Sequence, residues 1–367
     1  MSQRLIRRAA LSLLAWSQLG YPAALWLLRR FAGARPAVSS AAHLPTVSLI
    51  VAAHDEASVI AEKVRNALAL DYPRDRLEII VSDDGSSDET PALAQAAGAA
   101  IVLRNKRGGK IRAQDAAVRR ASGEIVAFSD ANAHWEPDAL RQLVAPFADE
   151  AVGLVCGQVR FVNPEGGTNQ EGIYWRYEMM LRELESDLAS VTAGNGAIYA
   201  VRRSAYVEVD PVMGHDLKLP FTLVRQGWRC VYEPDALAIE RMVPSIEGEA
   251  ARKRRMMSHT WAILLRGGLL DPRGWPPLYA LMIASHRWLR YFAPFLHVVA
   301  ALSGARRSHA MLLALAAAGP RAGKVGLLAR YYVATQSSVA LGLADHLGGG
   351  TVAEWDQAQG TREALQR

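Results

Sequence analysis

Short apolar runs alternate with segments of helical apolar spacing along the first half of the chain. The runs are rich in β-branched residues and have the length of buried strands: Thr46–Ala53 (TVSLIVAA), Leu77–Val81 (LEIIV), Ala100–Leu103 and Ile125–Phe128. Helical spacing occurs in three of the intervening segments: Ser58–Leu70, Thr90–Ala97 and Lys110–Ala121. This alternation predicts an α/β fold whose mostly parallel sheet carries helices on both faces. Ligands of such sheets bind beyond the carboxyl ends of the strands.

The N-terminal end has a different pattern, an unbroken apolar segment between basic residues. Twenty uncharged residues, Ala9–Leu28, separate Arg8 from Arg29, and a helix of that length rises about 30 Å, one hydrocarbon core. A cleaved signal peptide is the alternative, but its apolar region would be shorter and would end at a small-residue site. We therefore predict a membrane anchor helix, and an interfacial orientation is a further option because Pro22 would kink the helix.

Apolar runs also occur in the C-terminal third, but they are shorter. Tyr291–Gly304 and Tyr331–Ala344 contain fourteen uncharged residues each, fewer than the roughly 20 residues of a comfortable span. Basic side chains flank these runs and would extend toward lipid headgroups, which lengthens the effective span. Transmembrane and interfacial helices are both compatible with this pattern, so the number of crossings stays open.

The charge of the chain is basic only toward its ends. Its 42 Lys and Arg against 36 Asp and Glu give a formal charge of +6. Residues 1–36 carry +6, residues 37–245 carry −8, residues 246–330 carry +10 and the remainder carries −2. Because the folded centre is acidic, we expect no nucleic-acid partner. The basic groups flank the apolar segments instead, which favours contact with membrane lipid.

Acidic loops follow three of the predicted strands: His54-Asp55-Glu56, Ser82–Asp88 and Ser129–Asn132. Each loop alone is more often a turn or a helix cap. At one sheet edge, however, their carboxylates would repel one another unless a divalent cation lay among them. A metal-bound nucleotide diphosphate meets that requirement. The common phosphate-loop and dinucleotide motifs are absent, and Gly108-Gly109-Lys110 offers a lysine and free helix N-terminal amides to a phosphate instead.

Seven segments between residues 46 and 265 resemble, in order, the motifs of membrane-associated family 2 inverting glycosyltransferases. They are HDEASVI, SDDGSSDET, GGKIRAQDAAV, SDANAHWEPDAL, AGNGAIYAVRR, HDLKLPFTLVRQGWRCVYEPDA and RKRRM. The sequence is most similar to the members that build bacterial polysaccharides, akin to cellulose synthase catalytic subunits. The resemblance implies a GT-A fold and sugar transfer from a nucleotide-sugar donor, with a UDP-sugar as the first expectation. It also implies Mg²⁺ or Mn²⁺ as cofactor and a glycan or lipid-linked acceptor.

The resemblance assigns roles to positions in this sequence. Asp216 matches the general base that takes the acceptor hydroxyl proton. Asp130 and Asn132 match the two metal-binding positions of the D-x-D motif. The positions implied in donor binding are Ala53, Asp55, Glu56, Asp83, Asp84, Lys110, Asp130, Arg252 and Arg255. The acceptor-side loop positions are Gly194, Asn195 and Gly196.

Three positions depart from the family pattern. Asn132 replaces the second acid of the D-x-D motif and can ligate a hard cation without adding charge, so we expect weaker metal affinity. His215 replaces an acidic residue before the base. Met256 replaces the tryptophan of the family's Q/R-x-x-R-W motif, which puts processive synthesis in doubt. From the residues alone, Asp216 is also compatible with a helix N-cap.

The expected organisation has five parts. They are an anchor helix at 1–36, a GT-A-like catalytic domain at 45–245, a basic amphipathic interface segment at 246–277, transmembrane or interfacial helices at 278–347 and a polar tail at 348–367. The expected function is glycosyl transfer in polysaccharide or cell-envelope biosynthesis at the cell (inner) membrane, with the catalytic domain facing the cytoplasm. The alternatives are a polyprenyl-phosphate monoglycosyltransferase and a non-catalytic nucleotide-binding subunit, and His215 and Asn132 favour the latter.

Overall fold

The computed structural model describes residues 2–40, 42–162, 170–241, 246–354 and 362. Its strands form one sheet in the order β3-β2-β1-β4-β7-β6-β8-β5. They are β1 (Val47–Ala53), β2 (Leu77–Asp83), β3 (Ile101–Arg104), β4 (Ile125–Asp130), β5 (His134–Trp135), β6 (Val152–Val162), β7 (Ile198–Arg202) and β8 (Arg229–Arg241). The four strands predicted from the sequence are parallel neighbours. Strand β7 is antiparallel to β4 and β6, so the sheet is mixed beyond β4.

The α-helices of the described residues precede, surround and follow this sheet. They are α1 (Gln3–Ala15), α2 (Tyr21–Ala32), α3 (Ile60–Leu68), α4 (Thr90–Ala96), α5 (Lys110–Val118), α6 (Ala139–Val144), α7 (Gln170–Leu188), α8 (His215–Arg225), α9 (Ile246–Leu265), α10 (Pro277–Met282), α11 (Leu289–Ala300), α12 (Arg306–Ala318) and α13 (Gly323–Gly349). All seven residues of β1 are buried, as expected for a strand covered on both faces. The predicted α/β class is confirmed.

The two ends of the chain form helical segments that are long and apolar enough to cross a membrane. These segments are Gln3–Ala32 and Pro277–Gly349. Their outward faces expose large apolar side chains, among them Leu19, Phe31 and Leu302 at 73%, 83% and 68% of their full accessibility. Length and composition therefore agree with the predicted membrane helices, and the number of crossings stays open.

The basic segment predicted at 246–277 begins with helix α9, which packs against α13. Arg254 donates two hydrogen bonds of 2.5 Å to the Asp345 carboxylate of α13. The Lys253 ammonium lies 4.0 Å from the centre of the Tyr331 ring. These two side chains therefore bind the neighbouring helix as well as facing the surface. The domain boundary predicted at 245 lies outside the described residues, as does most of the predicted polar tail.

Candidate active site

The three acidic loops predicted from the sequence start at adjacent positions on one edge of the sheet. The parallel register aligns Ala53 at the end of β1 with Asp83 at the end of β2. On the other side, Ala52 of β1 is aligned with Asp130 of β4. Because parallel strands end on the same side, the loops after these strands border one crevice.

The loop after β1 is fixed to the loop after β2 through Asp55. Its φ of 53° lies in the left-handed region, which is uncommon for a residue other than glycine. The carboxylate of Asp55 accepts hydrogen bonds from the Ser87 amide at 2.7 Å and the Ser87 hydroxyl at 3.2 Å. Although desolvation opposes it, these Ser87 bonds lower the pKa of Asp55. An ionised carboxylate is thus held at the rim of the crevice.

The neighbouring acid, Glu56, is paired with the C-terminal part of the chain. Arg362 donates from Nε and Nη2 to the two carboxylate oxygens of Glu56, each at 2.6 Å. Glu56 itself is buried. The sequence predicts that the nucleotide-sugar donor contacts Glu56. A nucleotide sugar bound there would therefore lie beside Arg362, which already pairs with the Glu56 carboxylate.

The aspartate pair after β2 divides into two environments. Asp83 accepts a hydrogen bond from the Ser86 amide within its own loop. Asp84 is fully buried, and its carboxylate accepts from the Gly108 amide at 2.8 Å and the Gly109 amide at 2.9 Å. Burial raises the pKa of Asp84 against the effect of these hydrogen bonds.

The Asp84 contacts revise the expectation for the loop before α5. The amides of Gly108 and Gly109 are donated to Asp84, so they are not the free phosphate donors that the sequence suggested. The φ of Gly109 is +98°, a conformation that side chains disfavour. Asp84 therefore fixes the backbone just before Lys110, the first residue of α5, and its contact with the nucleotide stays a prediction.

Lys110 lies among several of the predicted site residues. Its ammonium donates a short hydrogen bond to the Asp130 carboxylate. A side-chain carbon added to Gly196 would lie 4.0 Å from the same ammonium. Although burial opposes it, the charges of Asp130, Glu240 and Asp216 raise the pKa of Lys110. The Lys110 ammonium therefore lies near the predicted metal-binding and acceptor-side positions, and it interacts electrostatically with the predicted base.

Asp216 lies in the first turn of α8 and remains partly accessible. The N-cap of this helix is Gly214, and no side chain caps it, so the structure does not show Asp216 as an N-cap. The carbonyl of Asp216 accepts a 2.6 Å hydrogen bond from the Gly194 amide of the acceptor-side loop. The predicted base position and the predicted acceptor-side loop are thus joined directly through the backbone.

His215, the departure from the family pattern, is a buried neutral side chain. Its Nδ1 lies 2.7 Å from the Tyr199 hydroxyl, and its Nε2 lies 3.4 Å from the Tyr206 hydroxyl. Burial and the Lys110 charge lower the pKa of His215 to about 3. The residue therefore belongs to the packing beneath Asp216 and does not compete with Asp216 for a proton near neutral pH.

The acceptor-side loop is held from below by buried polar contacts. Asn195 donates from its amide to the Gly157 carbonyl at 2.8 Å and is itself buried. Arg182 of α7 donates to the Gly194 carbonyl at 3.0 Å. Asn195 therefore fixes the loop to β6, and its acceptor-side role stays a prediction.

The two arginines predicted to bind the donor from α9, Arg252 and Arg255, have different surroundings. Arg252 makes a bidentate pair with Glu249, with both distances 2.7 Å. Its charge also acts on the Glu240 carboxyl, although burial and the Asp130 charge raise the pKa of that carboxyl overall. Arg255 is exposed on the next turn. Arg252 is therefore near a carboxylate of the crevice, and the role of Arg255 in donor binding stays a prediction.

Two titratable residues near the crevice were missed by the sequence reasoning. Lys63 of α3 is buried and donates to the Ala133 carbonyl at 2.8 Å. Burial lowers the pKa of Lys63 to about 7 against the charges of Asp130 and Glu240. Burial and the Asp130 charge raise the pKa of Glu240 to about 7. The available signal was an acid in an apolar strand, since Glu240 ends the run ALAIE.

A buried polar cluster beside the acceptor loop was also missed. Glu185 of α7 is fully buried, and its carboxylate accepts from the Tyr21 hydroxyl at 2.6 Å. It also accepts from the Thr192 amide at 3.0 Å and the Thr192 hydroxyl at 2.9 Å. His286 places Nδ1 2.6 Å from the same carboxylate. This cluster ties both candidate membrane segments to the start of the acceptor-side loop.

Residues 48–209 match the sequence profile of glycosyl transferase family 2. Together with the mixed sheet and its acidic crevice, this match shows that the chain contains a glycosyl transferase family 2 domain with a GT-A fold. The structure is similar to that of a mannosyltransferase from Pyrobaculum calidifontis solved with GDP-mannose and Mn²⁺. The TM-score is 0.74 at 26% identity, and the likeness covers 94% of this chain and 99% of that one.

Curated relatives include synthases of a glycolipid and of a polysaccharide. The chain is 31% identical over 206 residues to a beta-monoglucosyldiacylglycerol synthase of Trichormus variabilis. The aligned region covers 52% of this chain and 44% of that protein. It is 25% identical over 234 residues to a poly-beta-1,6-N-acetyl-D-glucosamine synthase of Staphylococcus aureus, covering 61% and 56%. The chain thus spans about half the length of the curated relatives it matches.

Proposed function

We propose that the chain is a membrane-attached inverting glycosyltransferase that moves a sugar from a nucleotide-sugar donor to a glycan or lipid-linked acceptor. The observation that carries the proposal is the gathering of Lys110, Asp130, Gly196 and Asp216 in one crevice of a family 2 domain. Lys110 provides a cation and Asp130 a carboxylate that could bind a metal ion. Gly196 belongs to the acceptor-side loop, and Asp216 provides a partly accessible carboxylate that could act as a base.

Asp216 is the proposed general base. In the transfer, its carboxylate takes the proton of the acceptor hydroxyl while that oxygen forms a bond to the sugar carbon. The bond between this carbon and the donor phosphate oxygen breaks on the opposite side, and the nucleoside diphosphate leaves with the electron pair. The hydrogen bond that the Gly194 amide donates to the Asp216 carbonyl holds the proposed base against the loop that would receive the acceptor.

The leaving diphosphate requires positive charge. Lys110 supplies one cation at the centre of the crevice, and Arg252 supplies a second at its rim. Asp130 and Asn132 offer a carboxylate and an amide oxygen, which are the donor types that Mg²⁺ and Mn²⁺ bind. A bound divalent cation would stabilise the charge that develops on the diphosphate.

We further propose a lipid-linked acceptor at the membrane surface. Asp216 lies close enough to Tyr291 of α11 to act on it electrostatically, and α11 belongs to a candidate membrane segment. The base therefore borders helices that would contact lipid. This position supports the single-transfer alternative, in which a polyprenyl phosphate is the acceptor, and it agrees with Met256 in place of tryptophan.

The test is a donor screen in detergent-solubilised membranes that contain the chain. We expect release of UDP or GDP from one nucleotide sugar, increased by Mn²⁺ and by a lipid acceptor. The sequence favours a UDP-sugar, whereas the solved relative binds GDP-mannose, so both donor classes belong in the screen. Absence of nucleotide release with every donor and acceptor would contradict the proposal.

Asp216→Asn separates the base from general effects on folding. We expect it to reduce transfer by about 10²–10⁴-fold while donor binding is retained. Asp210→Asn is the matched control, because Asp210 is an exposed loop residue that accepts from the Val212 amide. Wild-type turnover by Asp216→Asn would show that another group is the base.

A further inference from the structure

The predicted cation site has one carboxylate fewer than the usual D-x-D motif. Asp130 provides a carboxylate, but Asn132 provides a neutral amide oxygen. Asp130 is in addition hydrogen-bonded to the Lys110 ammonium. Because affinity for a hard divalent cation depends on the number of charged oxygen ligands, these residues alone make a weak site.

A second carboxylate is brought to this place by the sheet. Strands β5 and β8 are antiparallel, with His134 opposite Ile239 and Trp135 opposite Ala238. Continuing this register by one residue sets Glu240 beside Ala133, the residue after Asn132. The Glu136 amide donates to the Leu237 carbonyl at 3.0 Å, which fixes the pairing from the other side. The position of Glu240 therefore follows from backbone pairing.

The carboxylate of Glu240 is not satisfied by the protein. Its Oε1 atom is buried and has no hydrogen-bond partner within the described part of the chain. A buried carboxylate oxygen without a donor is costly, and such groups in native structures commonly bind an ion or a water. Asp130, Lys110 and Arg252 all act on this carboxylate electrostatically, so it shares the crevice with the predicted site.

We propose that Glu240 is a ligand of the divalent cation bound by Asp130 and Asn132, and that it supplies the charge which Asn132 lacks. This inference rests on the proposed function, because it assumes a cation at the D-x-N motif. The buried Oε1 would gain a partner that the described residues do not provide. Asp130 and Glu240, two carboxylates in one crevice, would then be held together by the ion between them.

The experiment measures Mn²⁺ binding directly, by electron paramagnetic resonance of free Mn²⁺ during titration of the full chain. We expect Glu240→Gln to raise the Kd for Mn²⁺ at least about tenfold, as Asp130→Asn does. Glu233→Gln, on the same strand, is the control, because Glu233 accepts a hydrogen bond from the Asp235 amide. We expect wild-type affinity from it. Thermal melts establish that each variant is folded.

A rescue variant keeps the test independent of packing changes. We expect the double variant Asn132→Asp with Glu240→Gln to recover most of the Mn²⁺ affinity, since it restores the number of carboxylates. Wild-type Kd in a folded Glu240→Gln, with weakened binding in Asp130→Asn, would overturn the role of Glu240 and leave the D-x-N site intact. Sugar transfer without any Mn²⁺ binding by the wild type would overturn the cation site and leave the transferase proposal standing.

Discussion

The carboxylates of Glu185 and Glu240 have contrasting surroundings: Glu185 is fully buried, whereas Glu240 is partly accessible and has one buried oxygen. Glu185 accepts hydrogen bonds from the Tyr21 hydroxyl and from the amide and hydroxyl of Thr192. His286 completes its surroundings at 2.6 Å. Although burial opposes it, the His286 charge and hydrogen bond lower the pKa of Glu185 to about 2. In contrast, Glu240 has a buried oxygen that no described residue hydrogen-bonds.

The difference separates a structural carboxylate from one that is prepared for a ligand. A buried charge is tolerated when the surrounding groups satisfy every oxygen, and the group then ties its neighbours together. Glu185 does so for α2, α7 and the acceptor-side loop. A charge left unsatisfied lowers stability, and such sites are common where a protein binds an ion or a substrate. Glu240 fits the second description.

The largest effect is expected from Glu185→Gln. The substitution keeps the size of the side chain but removes the charge that compensates His286 and Arg287. Breaking a buried pair by removing one partner costs about 3–5 kcal/mol of the free energy of unfolding. Chemical denaturation of the purified chain measures it. A loss below about 1 kcal/mol would mean that Glu185 is not the centre of a charged cluster.

Glu183→Gln on the same helix is the matched control. Glu183 pairs with Arg29 at 3.3 Å, but the two side chains are 49% and 38% exposed. Solvent screens such a pair, so we expect a change of about 0–1 kcal/mol. The contrast between positions 183 and 185 isolates the effect of burial from that of charge on one helix.

The second prediction concerns the pH dependence of the Glu185 effect. Because the folded pKa lies near 2, below the ordinary value, the stabilisation by Glu185 is complete above about pH 4.5. It is lost as the pH falls through the folded pKa, by at most about 1.4 kcal/mol per pH unit. The free energies of unfolding of wild type and Glu185→Gln should therefore converge between about pH 4.5 and pH 2. A constant difference over this range would contradict the charged state of Glu185.

The fold of the first half was predictable because its signals are local. Strands β1, β2, β3 and β4 are apolar runs bounded by polar turns; Asp83 and Asp130 end β2 and β4, and Asp55 follows β1. The parallel arrangement of these strands places the loops together without further information. The sequence also indicated Asp216, but only through its match to the family motif, because its place at the start of a predicted helix was equally compatible with an N-cap.

The remaining parts of the site depend on pairing between distant residues. Glu240 reaches the crevice because β8 pairs with the two-residue strand β5, about a hundred positions earlier. Glu185 binds residues from three separate parts of the chain. No local periodicity encodes such contacts. The roles of adjacent Asp83 and Asp84 were likewise not separable, because the sequence does not show which carboxylate meets the Gly108 and Gly109 amides.

The smallest effect is expected from Glu240→Gln in metal-free buffer, and its sign is opposite to that of Glu185→Gln. The substitution removes a charge that Oε1 cannot share with a donor, so the free energy of unfolding should stay unchanged or rise by about 1 kcal/mol. Excess Mn²⁺ should reverse the order, because an ion that binds the folded chain stabilises it in proportion to its affinity. Melts with and without Mn²⁺ measure both effects. A Glu240→Gln variant that is strongly destabilised without metal would place Glu240 in the same structural class as Glu185.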